Sequence, residues 1–206
     1  AIDEYVIEYS FIKVAGSEIL DDNIDETLQI YGGNGFSAEY PIELAYRNSR
    51  INRIFEGTNE INRLLTTGQL LKRAMKGKLD VMSAAQKAIQ GNPLEDIDAP
   101  AELKEAFLAV ENMKRATLMV AGLGAMAYMQ GLEKEQEIMA KVTDMITGVY
   151  LAESALLRAE KMGGSAKAEL LAKLYTFEAV DRARQLGTEA LRRIPNGKAI
   201  LGKLQS

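Results

Sequence analysis

Apolar positions in this chain recur every three or four residues, the spacing of helical faces. Ile2, Val6, Tyr9, Ile12, Ile19, Ile24, Leu28 and Tyr31 fit one such face, with acids between them. The pattern predicts a helix over residues 3–31, ended by Gly32-Gly33-Asn34-Gly35, where helical backbone is entropically costly. Pro41 suits a first helical turn and opens a short helix running to Arg50. Residues 51–55 read as a half-apolar connection. Thr58 then caps a helix from Asn59 to Lys76. Beyond Gly77 the texture changes. Residues 80–90 form one helix, broken by Gly91-Asn92-Pro93, and residues 94–100 read as an exposed acidic linker. Three longer helical patterns follow at 101–131, 134–162 and 165–191, and residues 195–206 form a short last helix. No stretch alternates apolar and polar residues long enough to make a strand. The expected fold is all-α, with one helical region at 1–77 and a second bundle at 78–206.

Composition narrows the chemistry. Of 206 residues, 47% are hydrophobic and 26% charged, an ordinary globular balance. The 25 basic and 29 acidic side chains leave a net charge of −4, which argues against nucleic acid as a partner. No apolar run is long enough to span a membrane. Cysteine and histidine are both absent, which excludes disulfides, thiolate chemistry, serine–histidine triads and histidine-bound metals. No metal site is expected, and proton transfer must fall to a carboxylate, lysine or tyrosine. Residues 1–60 hold 12 acids and 4 bases, whereas the remainder holds 17 acids and 21 bases. The chain opens on Ala1 directly into a helical pattern, which suggests the continuation of a longer polypeptide. A processed N-terminus is the alternative.

The segment from Gln29 to Arg63 concentrates the informative residues. Gly32, Gly33 and Gly35 read either as a helix terminator or as backbone that approaches a phosphate or dinucleotide closely. They follow no strand, which argues against a Rossmann loop. Glu56 stands just before a helix start, between Phe55 and Gly57. It reads either as an acid near a helix dipole or as a general base beside backbone N–H groups.

Together these residues resemble the C-terminal part of the acyl-CoA dehydrogenases. The likeness runs through Gln29-Ile30-Tyr31-Gly32-Gly33-Asn34-Gly35-Phe36, Tyr40-Pro41, Arg47, Arg50-Ile51 and Ile54-Phe55-Glu56-Gly57-Thr58-Asn59-Glu60-Ile61. Two motifs at matching separation are far more specific than either alone. Asn48 departs from the pattern, since the family often has Asp there, which bears on a local ion pair only. The likeness extends upstream to Ile7 but includes neither the family's N-terminal helical domain nor its middle β-domain. The long C-terminal extension is similar to the very-long-chain and bacterial long-chain branch.

The resemblance implies FAD-dependent oxidation of acyl-CoA to trans-2-enoyl-CoA in fatty-acid β-oxidation. Glu56 would be the base for the α-proton, and its backbone amide would face the thioester oxygen. Gly57 would touch substrate. Gln29, Ile30, Tyr31, Gly32 and Gly33 would contact the flavin of a neighbouring subunit, and Thr58, Asn59 and Glu60 the flavin nearer the same site. Electron-transfer flavoprotein is the implied electron acceptor, a homodimer the implied assembly, and a bacterial cytoplasm the implied compartment, with the mitochondrion left open. The fragment by itself is expected to be inactive. The competing reading is a non-catalytic helical interaction or oligomerisation module that retains the motif.

Two features of the extension invite a choice. Val120 to Met129 is rich in glycine, alanine and methionine, which reads as close helix packing ahead of a subunit or membrane contact. Residues 181–206 hold six bases against two acids, which reads as a solvated basic face ahead of peripheral membrane attachment.

Overall fold

The computed structural model describes residues 4–91, 97–197, 200 and 201, apart from the side chain of Gln130. Helices and 3-10 turns account for its regular structure, and no strand occurs among the described residues. By packing, the chain divides into Ala1–Gln69 and Leu70–Ser206. The division falls inside a helix, ahead of Gly77, where composition changes.

The first unit contains α1 (Val6–Tyr31), a 3-10 turn (Gly32–Phe36), α2 (Pro41–Ile51) and the start of α3 (Asn59–Met75). Helix α1 ends at Gly32 with φ +58, a conformation that suits glycine. Gly35 is required for packing, since a Cβ there would lie 2.6 Å from the Leu28 carbonyl oxygen. Pro41 opens α2, and the Thr58 hydroxyl accepts from Ile61 N–H at 3.3 Å, so both expected helix starts hold.

The buried side of α1 differs from the face expected. Ile7, Ser10, Phe11, Val14, Ala15 and Ser17 are buried, whereas Tyr9, Ile12, Ile19 and Tyr31 are exposed. Ile2 lies outside the described residues. Helix α1 is apolar on more than one side, so which side is buried is decided by the contacts it makes in the folded chain. Periodicity alone cannot make that choice. Helix α3 shows the same inversion: Asn59, Asn62, Thr66 and Thr67 are buried while Ile61 and Leu65 are exposed.

The second unit packs α4 (Val81–Gln90), α5 (Lys104–Tyr128), α6 (Gln136–Met162) and α7 (Ala166–Arg193). Asp80 caps α4, and Ser165 caps α7. Leu103, Ala106, Val110 and Met113 meet Ala152, Leu156 and Ala159, together with Ala172 and Ala183. Spacings of three and four in the first two sets give the seam of a helical bundle. The pattern read as one helix over 101–131 breaks near its end: α5 stops at Tyr128, Met129 takes φ +48, and a second 3-10 turn runs Met129–Lys134.

The small residues of α5 bring helices close. A Cβ on Gly122 would stand 2.6 Å from the Ala85 Cβ of α4, and one on Gly124 would meet Ile138, Leu132 and Ile194 at 3.5–3.8 Å. In the basic C-terminal stretch, Arg184 pairs with Asp181 and Arg193 with Glu137. Lys198 and Lys203 lie outside the described residues, as do residues 94–96 of the segment 94–100 read as a linker and much of the expected last helix. Among the described residues no helix is long and apolar enough to cross a membrane, and no cluster of acidic side chains is arranged to hold a metal ion.

Candidate functional site

The segment Ile51–Thr58 leaves α2 through short-range backbone bonds: Ile54 and Phe55 both donate to the Ile51 carbonyl. Asn59 N–H then reaches back to the Arg53 carbonyl at 3.1 Å, closing a compact loop. Glu56 and Gly57 stand at its tip with φ +54 and +82. Glycine tolerates this, but a glutamate in the left-handed region is held there against a cost of about 1 kcal/mol or more. Surrounding contacts must impose it.

Those contacts are specific. The Gly57 carbonyl accepts from Asn62 Nδ2 at 2.7 Å and from Lys13 Nζ at 2.8 Å. Lys13 also donates to Asn59 Oδ1 at 2.8 Å. Asn59, 1% exposed, gives its amide protons to Ser17 Oγ at 2.9 Å and Glu18 Oε1 at 3.2 Å. Ion pairs flank the network: Arg63 with Glu18 at 2.8 Å and Arg53 with Asp21 at 2.5 Å. A Cβ on Gly57 would lie 3.0 Å from Asn62 Nδ2, so a side chain there would press on one of the bonds that hold the loop.

The candidate residues thus separate by role. Glu56 is exposed at the loop tip, and its amide donates to no other described residue. Thr58 is a helix cap, and its hydroxyl also serves the exposed Glu60. The Glu60 carboxyl is held below the usual carboxylate value, chiefly by its own backbone N–H and then by the Thr58 hydroxyl. Asn59 points inward, with both ends of its carboxamide engaged on α1.

Gln29, Ile30, Tyr31, Gly32 and Gly33 lie at the far end of α1. Sixteen residues of α1 separate Lys13 from Gln29, about 24 Å along the axis. The two groups therefore cannot line one small pocket. Ile30 and Phe36 are 83% and 84% exposed, and nothing lies within 4 Å of a Cβ built on Gly32 or Gly33. That end presents bare backbone and apolar side chains to open space.

Lys13, Ser17, Glu18, Asp21, Arg53, Asn62 and Arg63 were not legible as site residues. The available signal was polar side chains at 13, 17 and 21 on α1, one helical turn apart.

The first unit thus combines a left-handed Glu-Gly pair on a braced loop after α2 with a glycine turn at the end of α1. Two family models, each described as the acyl-CoA dehydrogenase C-terminal domain, match residues 3–71 and 112–204. The chain belongs to the acyl-CoA dehydrogenase family. It is 46% identical over 180 residues to a probable acyl-CoA dehydrogenase of Bacillus subtilis, covering 85% of this chain and 30% of that protein. It is 30% identical over 180 residues to the rat mitochondrial very long-chain specific acyl-CoA dehydrogenase, covering 77% of this chain and 27% of that protein. The crystal structure of a Bacillus anthracis acyl-CoA dehydrogenase complexed with FAD superposes with a TM-score of 0.90 at 43% identity, covering 99% of this chain and 36% of that one. The chain therefore spans about a third of the length of the proteins it matches.

Proposed function

We propose that this chain is the C-terminal part of an FAD-dependent acyl-CoA dehydrogenase that oxidises acyl-CoA to trans-2-enoyl-CoA, with Glu56 as the base. The observation that carries the reading is the left-handed Glu56-Gly57 pair, held by hydrogen bonds from Lys13 and Asn62. Backbone strain maintained by its surroundings is characteristic of functional positions. The B. anthracis structure contains FAD, and the open glycine surface of this chain suits the same cofactor.

In this reading the Glu56 carboxylate takes the α-proton of the thioester. Negative charge then develops on the thioester oxygen, and the unengaged Glu56 N–H is the donor available to it. Gly57 adds no side chain beside the substrate. Bound FAD supplies the acceptor for the hydride that leaves the β-carbon, and electron-transfer flavoprotein is the reading's next acceptor. Gln29 to Gly33 would meet the flavin of a second subunit in a dimer, in keeping with their distance from Glu56. Residues 1–77 would complete the catalytic bundle and residues 78–206 would form an added helical domain, in a cytoplasmic enzyme.

Glu56→Gln in the full-length enzyme tests the assignment, because it keeps the shape and removes the base. Anaerobic mixing with a long-chain acyl-CoA should bleach the flavin about 10² to 10⁴ times more slowly, with FAD content unchanged. Bleaching near the wild-type rate would place the base elsewhere.

A further inference from the structure

We propose that Lys13 is a positioning residue for proton abstraction, holding the loop that carries Glu56; this rests on Glu56 being the base. Lys13 reaches across 44 residues of sequence to the Gly57 carbonyl and to Asn59 Oδ1, both at 2.8 Å. Both of these partners are neutral oxygens. Neighbouring charges are paired otherwise, Glu18 with Arg63 and Asp21 with Arg53. The ammonium therefore orients dipoles and does not neutralise an acid.

The geometry explains why that matters. The Gly57 carbonyl has two lone pairs, and Lys13 and Asn62 occupy both. A carbonyl held from two sides cannot turn, so the peptide after Gly57 keeps one orientation. That orientation fixes the left-handed turn through Gly57 and Glu56, and with it the direction in which the Glu56 side chain leaves the backbone. Asn62 holds the carbonyl from within α3, the helix that begins directly after the loop. Lys13 is the donor that ties the loop tip to α1, an element remote in sequence.

Lys13→Met keeps the length of the stem and removes the donor. A base displaced by about 1 Å loses on the order of 10² in rate. In the full-length holoenzyme, single-turnover flavin bleaching with a long-chain acyl-CoA should therefore slow by roughly 10- to 100-fold. FAD content and the acyl-CoA dissociation constant should stay within about twofold, because neither depends on where the carboxylate points. Lys13→Arg, which keeps charge and donors, should recover most of the rate. A purely structural role would instead lower FAD content and thermal stability and leave the bleaching rate of the loaded fraction unchanged; that result overturns the proposal. If Lys13→Met does not fold, Lys13→Leu also lacks the donor and decides the matter: slower bleaching at normal FAD content supports the positioning role, and an unchanged rate refutes it. Glu56→Gln measured alongside separates the two ideas. A slow Glu56→Gln with a fast Lys13→Met sinks only the role of Lys13, whereas a fast Glu56→Gln removes the base itself.

Discussion

Replacing Asn59 by leucine separates a flavin-contacting side chain from an internal brace. The carboxamide receives Lys13 at 2.8 Å and donates to Ser17 at 2.9 Å and Glu18 at 3.2 Å. Leucine has similar volume and supplies none of these bonds. A neutral bond contributes about 1 kcal/mol and one to a charged group about 1.5–3 kcal/mol. Lys13, Ser17 and Glu18 each keep another partner, in Gly57, Val14 and Arg63. None is orphaned, so the lower end applies, and the loss comes to about 4 kcal/mol. Since 1.4 kcal/mol is tenfold, local opening should rise by nearly three orders of magnitude. Hydrogen exchange followed by mass spectrometry on flavin-free protein reads this directly. Peptides covering residues 10–22 and 57–66 should lose about a thousandfold in protection, while those of α6 and α7 keep theirs. Unchanged exchange in the first unit, together with loss of FAD from the full-length enzyme, would show that Asn59 serves the flavin and that the bracing argument is wrong.

Two further outcomes follow from the same geometry. Gly122→Val forces α4 and α5 apart, because even a Cβ would stand 2.6 Å from Ala85; the expected cost is about 1–3 kcal/mol, read as a lower Tm with faster exchange in residues 81–90, and an unaltered Tm would contradict it. The Glu60 carboxyl is depressed below its ordinary 4.5 by its own N–H and the Thr58 hydroxyl, so the stability it contributes is present above that value and is lost as pH falls through the lower folded value. Carboxyl NMR titration should place its midpoint below 4.5, Thr58→Val should move it upward, and a midpoint at or above the ordinary value would refute the assignment.

Local chemistry made much of this protein legible in its residues alone. Pro41, Thr58 and the glycine run at 32–35 act within a turn of where they stand, so helix starts and stops could be read without a partner in view. The absence of histidine and cysteine narrowed the proton chemistry, and the motif around Glu56 located the loop. Burial was decided elsewhere. Helix α1 carries apolar residues on several sides, and only its contacts in the folded chain chose Ile7, Phe11 and Val14 over Tyr9, Ile12 and Ile19. The inward turn of Asn59, the reach of Lys13 to Gly57 and the fit of Gly122 under Ala85 join residues more than thirty positions apart. Propensity and capping are energies of neighbours along the chain, whereas burial and hydrogen-bond partnership are set by elements that meet only when the chain is folded.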